Sequence, residues 1–152
     1  MLTVRSMQLT DLDDVYRIET SAHRTPWSRG ILDDCVLVGY DCRVLELTDA
    51  GSTRIVGYII CRLNFNTCHI LNLCIEPSCQ NKGFGKFFLG SVLDSLAGGL
   101  TNTVILEVRP TNSVAIMLYE AFGFQRDEIK KGYYKDDKGE EDALLLKKIL
   151  PR

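Results

Sequence analysis

Leu71-Asn72-Leu73-Cys74-Ile75-Glu76-Pro77-Ser78-Cys79-Gln80-Asn81-Lys82-Gly83-Phe84-Gly85-Lys86 is the stretch whose reading decides the fold. Its first five residues are apolar enough for a buried strand, and Glu76-Pro77 ends that strand because proline cannot donate to a central ladder. Beyond Gly83 the period changes. Leu89, Val92, Leu93, Leu96 and Ala97 recur at i, i+3, i+4, i+7 and i+8, the spacing of one helical face, and Gly98-Gly99 stops the run. A strand therefore passes through a glycine turn into a helix. The first helical turn leaves backbone N–H groups unpaired at the positive end of the helix dipole, and glycines allow a bulky anion to come close. Lys82 and Lys86 add charge, so the turn is either a phosphate cradle or a packing device. Neither the Walker A spacing nor the dinucleotide fingerprint is present.

Toward the N-terminus, Leu2 to Val4 reads as a strand. A helix starts with Thr10 as cap and Asp11 and Asp13 in its first turn. It runs to about Ser21 and buries Leu12, Val15 and Ile18, with Tyr16 or Glu19 at its margins. Pro26-Trp27-Ser28 breaks the chain, and Ser28 caps a second short helix. Arg43–Leu47, Ile55–Leu63 and Cys68–Ile75, separated by turn residues, form an antiparallel meander. Past the glycine helix, Thr103–Val108 is a strand and Asn112–Phe122 a helix stopped by Gly123. Phe124–Tyr134 and Ala143–Ile149 form a final hairpin. The order β-α-α-β-β-β-α-β-α-β-β implies a mixed α/β (α+β) sheet flanked by helices, in a single domain spanning residues 1–152.

Composition sets outer bounds. The 152 residues are 45% hydrophobic and 25% charged, ordinary for a globular protein, and a net charge of −2 argues against a general nucleic-acid surface. The longest apolar run, Ile55–Cys61, is too short to span a bilayer, and no leader pattern opens the chain, so a cytoplasmic protein is expected. Six cysteines contain no Cys-x-x-Cys pair, and His23 stands alone. Buried reduced thiols are expected rather than a metal site.

Three polar residues stand out in apolar surroundings. Glu107 interrupts Val104-Ile105-Leu106-Glu107-Val108, so its carboxylate either faces solvent or is held there for a purpose. Asn112 is placed to cap a helix or to contact a ligand. Tyr119 lies seven residues later, two turns along the same face, either as a core-edge aromatic or as an acid.

Gln80-x-x-Gly83-x-Gly85 after an antiparallel meander resembles the signature of the GNAT superfamily of N-acetyltransferases. The likeness covers nearly the whole chain. Ala22-His23-x-x-Pro26-Trp27-Ser28, Leu106-Glu107-Val108-Arg109-Pro110-Thr111-Asn112, Leu118-Tyr119-Glu120, Gly123-Phe124, Gly132-Tyr133-Tyr134 and Glu141-Asp142-Ala143 are similar to the branch acetylating the N-terminal alanine of a ribosomal protein. The resemblance implies acetyl-CoA as co-substrate and no metal. Leu73, Cys74 and Ile75 would offer backbone groups to the pantetheine and acetyl carbonyl. Asn81, Lys82, Gly83, Phe84, Gly85 and Lys86 would hold the pyrophosphate, with Asn112 contacting the cofactor. It makes Glu107 the general base and Tyr119 the acid that protonates the departing thiolate. Trp27, Tyr133 and Tyr134 would wall a slot for the N-terminal peptide of a basic ribosomal protein, and Asp33, Asp34, Glu140 and Glu141 are candidate acceptors for its positive charge. No direct contact with nucleic acid or membrane is implied. An α-amine, with a pKa of about 7.7–8.0, is partly neutral near pH 7, so a modest base suffices; a lysine near 10.4 is neutral in only about one part in a thousand. Acetylation of a different amine, or a silent acetyl-CoA-binding module, are the competing readings.

Overall fold

The computed structural model describes residues 1–151. Seven strands and four helices follow the expected order: β1 (Leu2–Ser6), α1 (Leu12–Ala22), α2 (Arg29–Leu37), β2 (Asp41–Asp49), β3 (Ser52–Asn64), β4 (Thr67–Ile75), α3 (Phe84–Leu96), β5 (Thr103–Val108), α4 (Ser113–Ala121), β6 (Gln125–Asp136) and β7 (Gly139–Ile149). The strands are ordered β1-β2-β3-β4-β5-β7-β6. β4 and β5 run parallel, while β1–β2, β2–β3, β5–β7 and β6–β7 are antiparallel. Parallel neighbours need a long crossover, which is why the glycine turn and α3 lie between β4 and β5. No helix among the described residues is long and apolar enough to cross a membrane.

The chain divides into two compact units. The first is Met1–Arg62 with Leu71–Val92, and the second is Leu63–Ile70 with the chain from Leu93 on. In the first, Leu12, Val15 and Ile18 of α1 and Leu32 of α2 are fully buried with Val44 and Tyr58 of β2 and β3. In the second, Val104, Leu106 and Val108 of β5 are buried, as are Leu144, Leu145 and Leu146 of β7 and Ile116 and Tyr119 of α4. All six cysteines are buried. Burial pushes the thiols of Cys42 and Cys74 up to about 12, so thiolate is scarce there at neutral pH.

Thr10 does not cap α1. A 3-10 turn at Leu9–Asp11 precedes the helix, and the Asp11 carboxylate reaches back to the Gln8 N–H at 2.8 Å. Arg5 holds that carboxylate at 2.8 and 2.9 Å, which keeps it ionised despite its burial. Asp11 occupies the N-cap position of α1 without a side-chain cap bond, because its carboxylate is taken up by Arg5 and by the Gln8 N–H that opens the 3-10 turn. Ser28 caps α2 as expected, accepting from Ile31 N–H at 3.2 Å.

Glu19 departs further from expectation. It is 1% exposed, in the core rather than at its margin. Tyr58 Oη–H and, at 2.8 Å, Asn72 Nδ2–H donate to its Oε1, and the Trp27 backbone N–H donates to its Oε2 at 2.9 Å. A carboxylate is stable in such a place only when donors replace its water. Here the donors come from β3, β4 and the loop after α1. Glu19→Ala should therefore lower unfolding stability by about 3 kcal/mol or more, because three donors lose their acceptor. Exposed Asp14→Ala should change it by no more than about 0.5 kcal/mol. Urea denaturation curves of the two variants against the parent measure the difference.

Candidate active site

In the first unit, β4 ends at a charged clasp. Glu76 accepts from Arg17 at 2.8 Å and Arg54 at 2.6 Å. Burial pushes its pKa up, but the two guanidiniums outweigh that and hold it below the usual carboxylate range. Gln80 Nε2–H donates to the Ile75 carbonyl at 3.1 Å, folding the turn back onto the strand. Asn81 and Gly83 have φ of +63° and +80°, so the chain enters α3 through two left-handed residues. At Gly83 nothing lies within 4 Å of where a Cβ would be, so handedness rather than crowding requires glycine, and the space before α3 is open. Lys82 and Lys86 are exposed beside it, Phe84 and Gly85 half-buried. Such a cradle fits a pyrophosphate group. Cys74 is buried, with Leu73 and Ile75 half-buried on either side. Trp27 is half-buried and packed against the core, its backbone tied to Glu19.

In the second unit the structure draws together residues far apart in sequence. The Glu107 side chain on β5 is 7% exposed and that of His69 on β4 16%, with His69 Nε2 2.7 Å from Glu107 Oε1. Lys130 Nζ on β6 lies 3.3 Å from Oε2, and Tyr133 Oη–H donates to Oε1 at 3.4 Å. The carboxylate is held rather than solvated. Burial works to raise its pKa, but the bond and charge of His69, with those of Lys130, prevail and lower it.

A bulge aims the β6 side chains. Lys130 pairs with Ala143 and Tyr134 with Glu141, so Lys131, Gly132 and Tyr133 lie opposite Asp142 alone. Gly132 adopts φ +61°, and its N–H donates to Asp142 Oδ1 at 2.9 Å. A Cβ there would sit 2.8 Å from Glu140 Oε2. Tyr134, beyond the bulge, lies 4.2 Å under the Arg109 guanidinium. Arg109 also pairs with Glu141 at 3.0 Å, and Glu141 accepts from Thr111 Oγ1–H at 2.7 Å. Burial chiefly, with Tyr133 alongside, pushes the Tyr134 phenol up to about 12, and Arg109 only partly opposes this. It keeps its proton at neutral pH.

Asn112 caps α4, accepting from Ala115 N–H at 3.3 Å. Tyr119 is 7% exposed and meets Phe124 edge-on at 5.6 Å between ring centroids. Of the acidic residues expected to receive a basic substrate, Glu141 is engaged with Arg109 and Thr111, and Asp33 with Arg29 at 3.2 Å. Sequence reasoning missed Glu19, His69 and Lys130. Two polar residues, His69 and Glu107, each interrupting an apolar strand, were the one available signal for the pair.

The chain matches the acetyltransferase (GNAT) family over residues 10–124. It is 35% identical over 147 residues to the [ribosomal protein bS18]-alanine N-acetyltransferase of Haemophilus influenzae, covering 96% of this chain and 97% of that one. The Escherichia coli enzyme of the same name is 31% identical over 146 residues, covering 96% of each. The crystal structure of the Escherichia coli ribosomal-protein-S18-alanine N-acetyltransferase superposes with a TM-score of 0.90 at 31% identity, covering 100% of this chain and 96% of that one. Arabidopsis thaliana NAA60 in complex with a bisubstrate analogue shares the fold, with a TM-score of 0.86 at 17% identity over 99% of this chain and 100% of that one.

The lowered Glu107 pKa has a stability consequence. A depressed carboxylate stabilises the fold above its unfolded value, about 4.3, and that stabilisation is lost as pH falls through the folded value. Glu107→Gln should therefore unfold more easily than the parent at pH 6, with the gap narrowing by pH 3.5. Urea midpoints at the two pH values test it; a gap that is the same at both refutes the ion-pair account.

Proposed function

The chain belongs to the acetyltransferase (GNAT) family, and from that premise we propose that it transfers the acetyl group of acetyl-CoA to the α-amine of a protein beginning with alanine, a small-subunit ribosomal protein. One observation carries the chemical part of this reading: Glu107, a carboxylate inside an apolar strand, is sheltered from solvent, held ionised and fixed in orientation by three groups. Substrate class is supported by likeness to alanine N-acetyltransferases over 96% of the chain. The family match enters both units, which supports one catalytic domain over residues 1–152.

Bound acetyl-CoA supplies an acetyl group activated as a thioester. Asn81–Lys86 hold its pyrophosphate through backbone N–H groups at the start of α3 and the two lysine charges. Leu73, Cys74 and Ile75 contribute backbone groups, and Asn112 a polar contact beside its cap. Glu107 accepts the proton that the α-ammonium must lose before its nitrogen can attack, directly or through a water. Tyr119 holds a phenolic proton at Oη for the departing sulfur. Trp27, Tyr133 and Tyr134 wall the slot for the small first residue, and Tyr134, neutral and pinned under Arg109, is a wall rather than an acid. The protein acts where ribosomal proteins are made, in the cytoplasm.

Acetyl-CoA at one hundred times its dissociation constant should add about 2.7 kcal/mol to unfolding stability, and Gly83→Glu should abolish the gain by placing a carboxylate where the pyrophosphate sits. The absence of any thermal shift in the parent removes the cofactor assignment. Tyr119→Phe and Glu107→Gln should keep that shift while lowering turnover about 100-fold, with Glu107→Gln least impaired at high pH, where the amine deprotonates by itself. A peptide beginning Ala-Arg should be acetylated faster than an N-terminally blocked peptide carrying an internal lysine. The reverse order, read by mass spectrometry, assigns a different amine, and thiol release from neither points to a silent binding module.

A further inference from the structure

The His69–Glu107 contact is a part of the second unit's polar cluster that no motif marks, as is Lys130. His69 lies on β4, paired in register with Ile105, and its ring turns from that apolar position onto the carboxylate of the neighbouring strand. An ionised carboxylate only accepts hydrogen bonds, so at 2.7 Å the Nε2 of His69 must carry the hydrogen. That leaves a neutral ring in the Nε2–H tautomer, or an imidazolium. The two states do different things to a base. The neutral ring fixes the orientation of Oε1 and leaves the carboxylate its charge. The cation adds a full positive charge beside a group that Lys130 already faces from the other oxygen, with Tyr133 on the same side. Glu107 then loses basicity, and an incoming ammonium meets net positive charge.

We propose that His69 is a positioning residue for catalysis: in its neutral Nε2–H form it holds Glu107 in the competent orientation. This rests on Glu107 being the base. Lys130 and Tyr133 on β6 hold the same carboxylate, and the β7 residue paired with Glu107 is apolar Leu145.

Two substitutions separate the proposal from a structural account. His69→Ala removes the bond and should lower kcat/KM for an Ala-Arg peptide roughly 10- to 100-fold at pH 8, the worth of one hydrogen bond to a charged group. His69→Gln keeps an N–H for Oε1, so it should recover most of that loss. In a Glu107→Gln background, His69→Ala should cost nothing further. Independently of turnover, nitrogen-detected NMR of the protein alone should show the Nε2–H tautomer of His69 at pH 8, lost in Glu107→Ala. Full activity of His69→Ala, or no recovery in His69→Gln, overturns the positioning role. Full activity of Glu107→Gln overturns the base assignment itself, so the two failures are distinguishable.

Discussion

A carboxylate withdrawn from water has to be given donors, and much of this protein is arranged around meeting that demand. Glu19 in the first unit and Glu107 in the second are sunk into apolar surroundings, where an unpaired charge costs several kcal/mol. The donors come from separate elements each time. Tyr58, Asn72 and the Trp27 backbone converge on Glu19; His69, Lys130 and Tyr133 converge on Glu107. Each carboxylate therefore works as a register pin, because sliding one contributing element by a residue strands a charge. The Trp27 loop inherits its position from the first network and the bulged hairpin serves the second.

The bulge in β6 shows how local chemistry serves that end. A regular antiparallel pairing would alternate Lys130, Lys131, Gly132 and Tyr133 between faces. Extra residues opposite Asp142 change the alternation, so that both Lys130 and Tyr133 reach Glu107 while Tyr134 passes under Arg109. Gly132 supplies the left-handed turn and Asp142 satisfies its N–H. Glu141, next in line, ties Arg109 and Thr111, so three motifs that look independent along the chain prove to be one mechanical assembly.

The electrostatics separate the roles of chemically similar side chains. Two acids end up ionised by the same balance of opposing forces: burial raises the pKa of Glu76 and Glu107, and hydrogen-bonding and charged neighbours bring each back down. In Glu76 the partners are two permanent guanidiniums, suited to a strut. In Glu107 they are an imidazole and an ammonium. Tyr134 and Cys74 are moved the other way, to about 12, which keeps both neutral and removes them from proton or nucleophile chemistry near pH 7.

The order of elements, the strand-to-glycine-turn-to-helix passage, the caps at Ser28 and Asn112 and the helical stop at Gly123 were legible in the sequence, because each depends on residues within a few positions of one another. So was the oddity of a glutamate in an apolar strand, though whether Glu107 faced water or partners was not. Thr10 shows the limit even of local rules: it falls inside a 3-10 turn that precedes the helix, a turn boxed by Asp11, whose carboxylate Arg5 holds from six residues upstream. Glu19 was misplaced at a helix margin for the same reason on a larger scale, since Tyr58 and Asn72 are 39 and 53 residues away. His69, 38 residues from Glu107, had no visible purpose until the parallel pairing of β4 and β5 set the two strands side by side. Backbone preference and hydrophobic period are short-range properties of the chain. Which charges find partners is settled only when distant strands come within 3 Å, and that belongs to the tertiary structure.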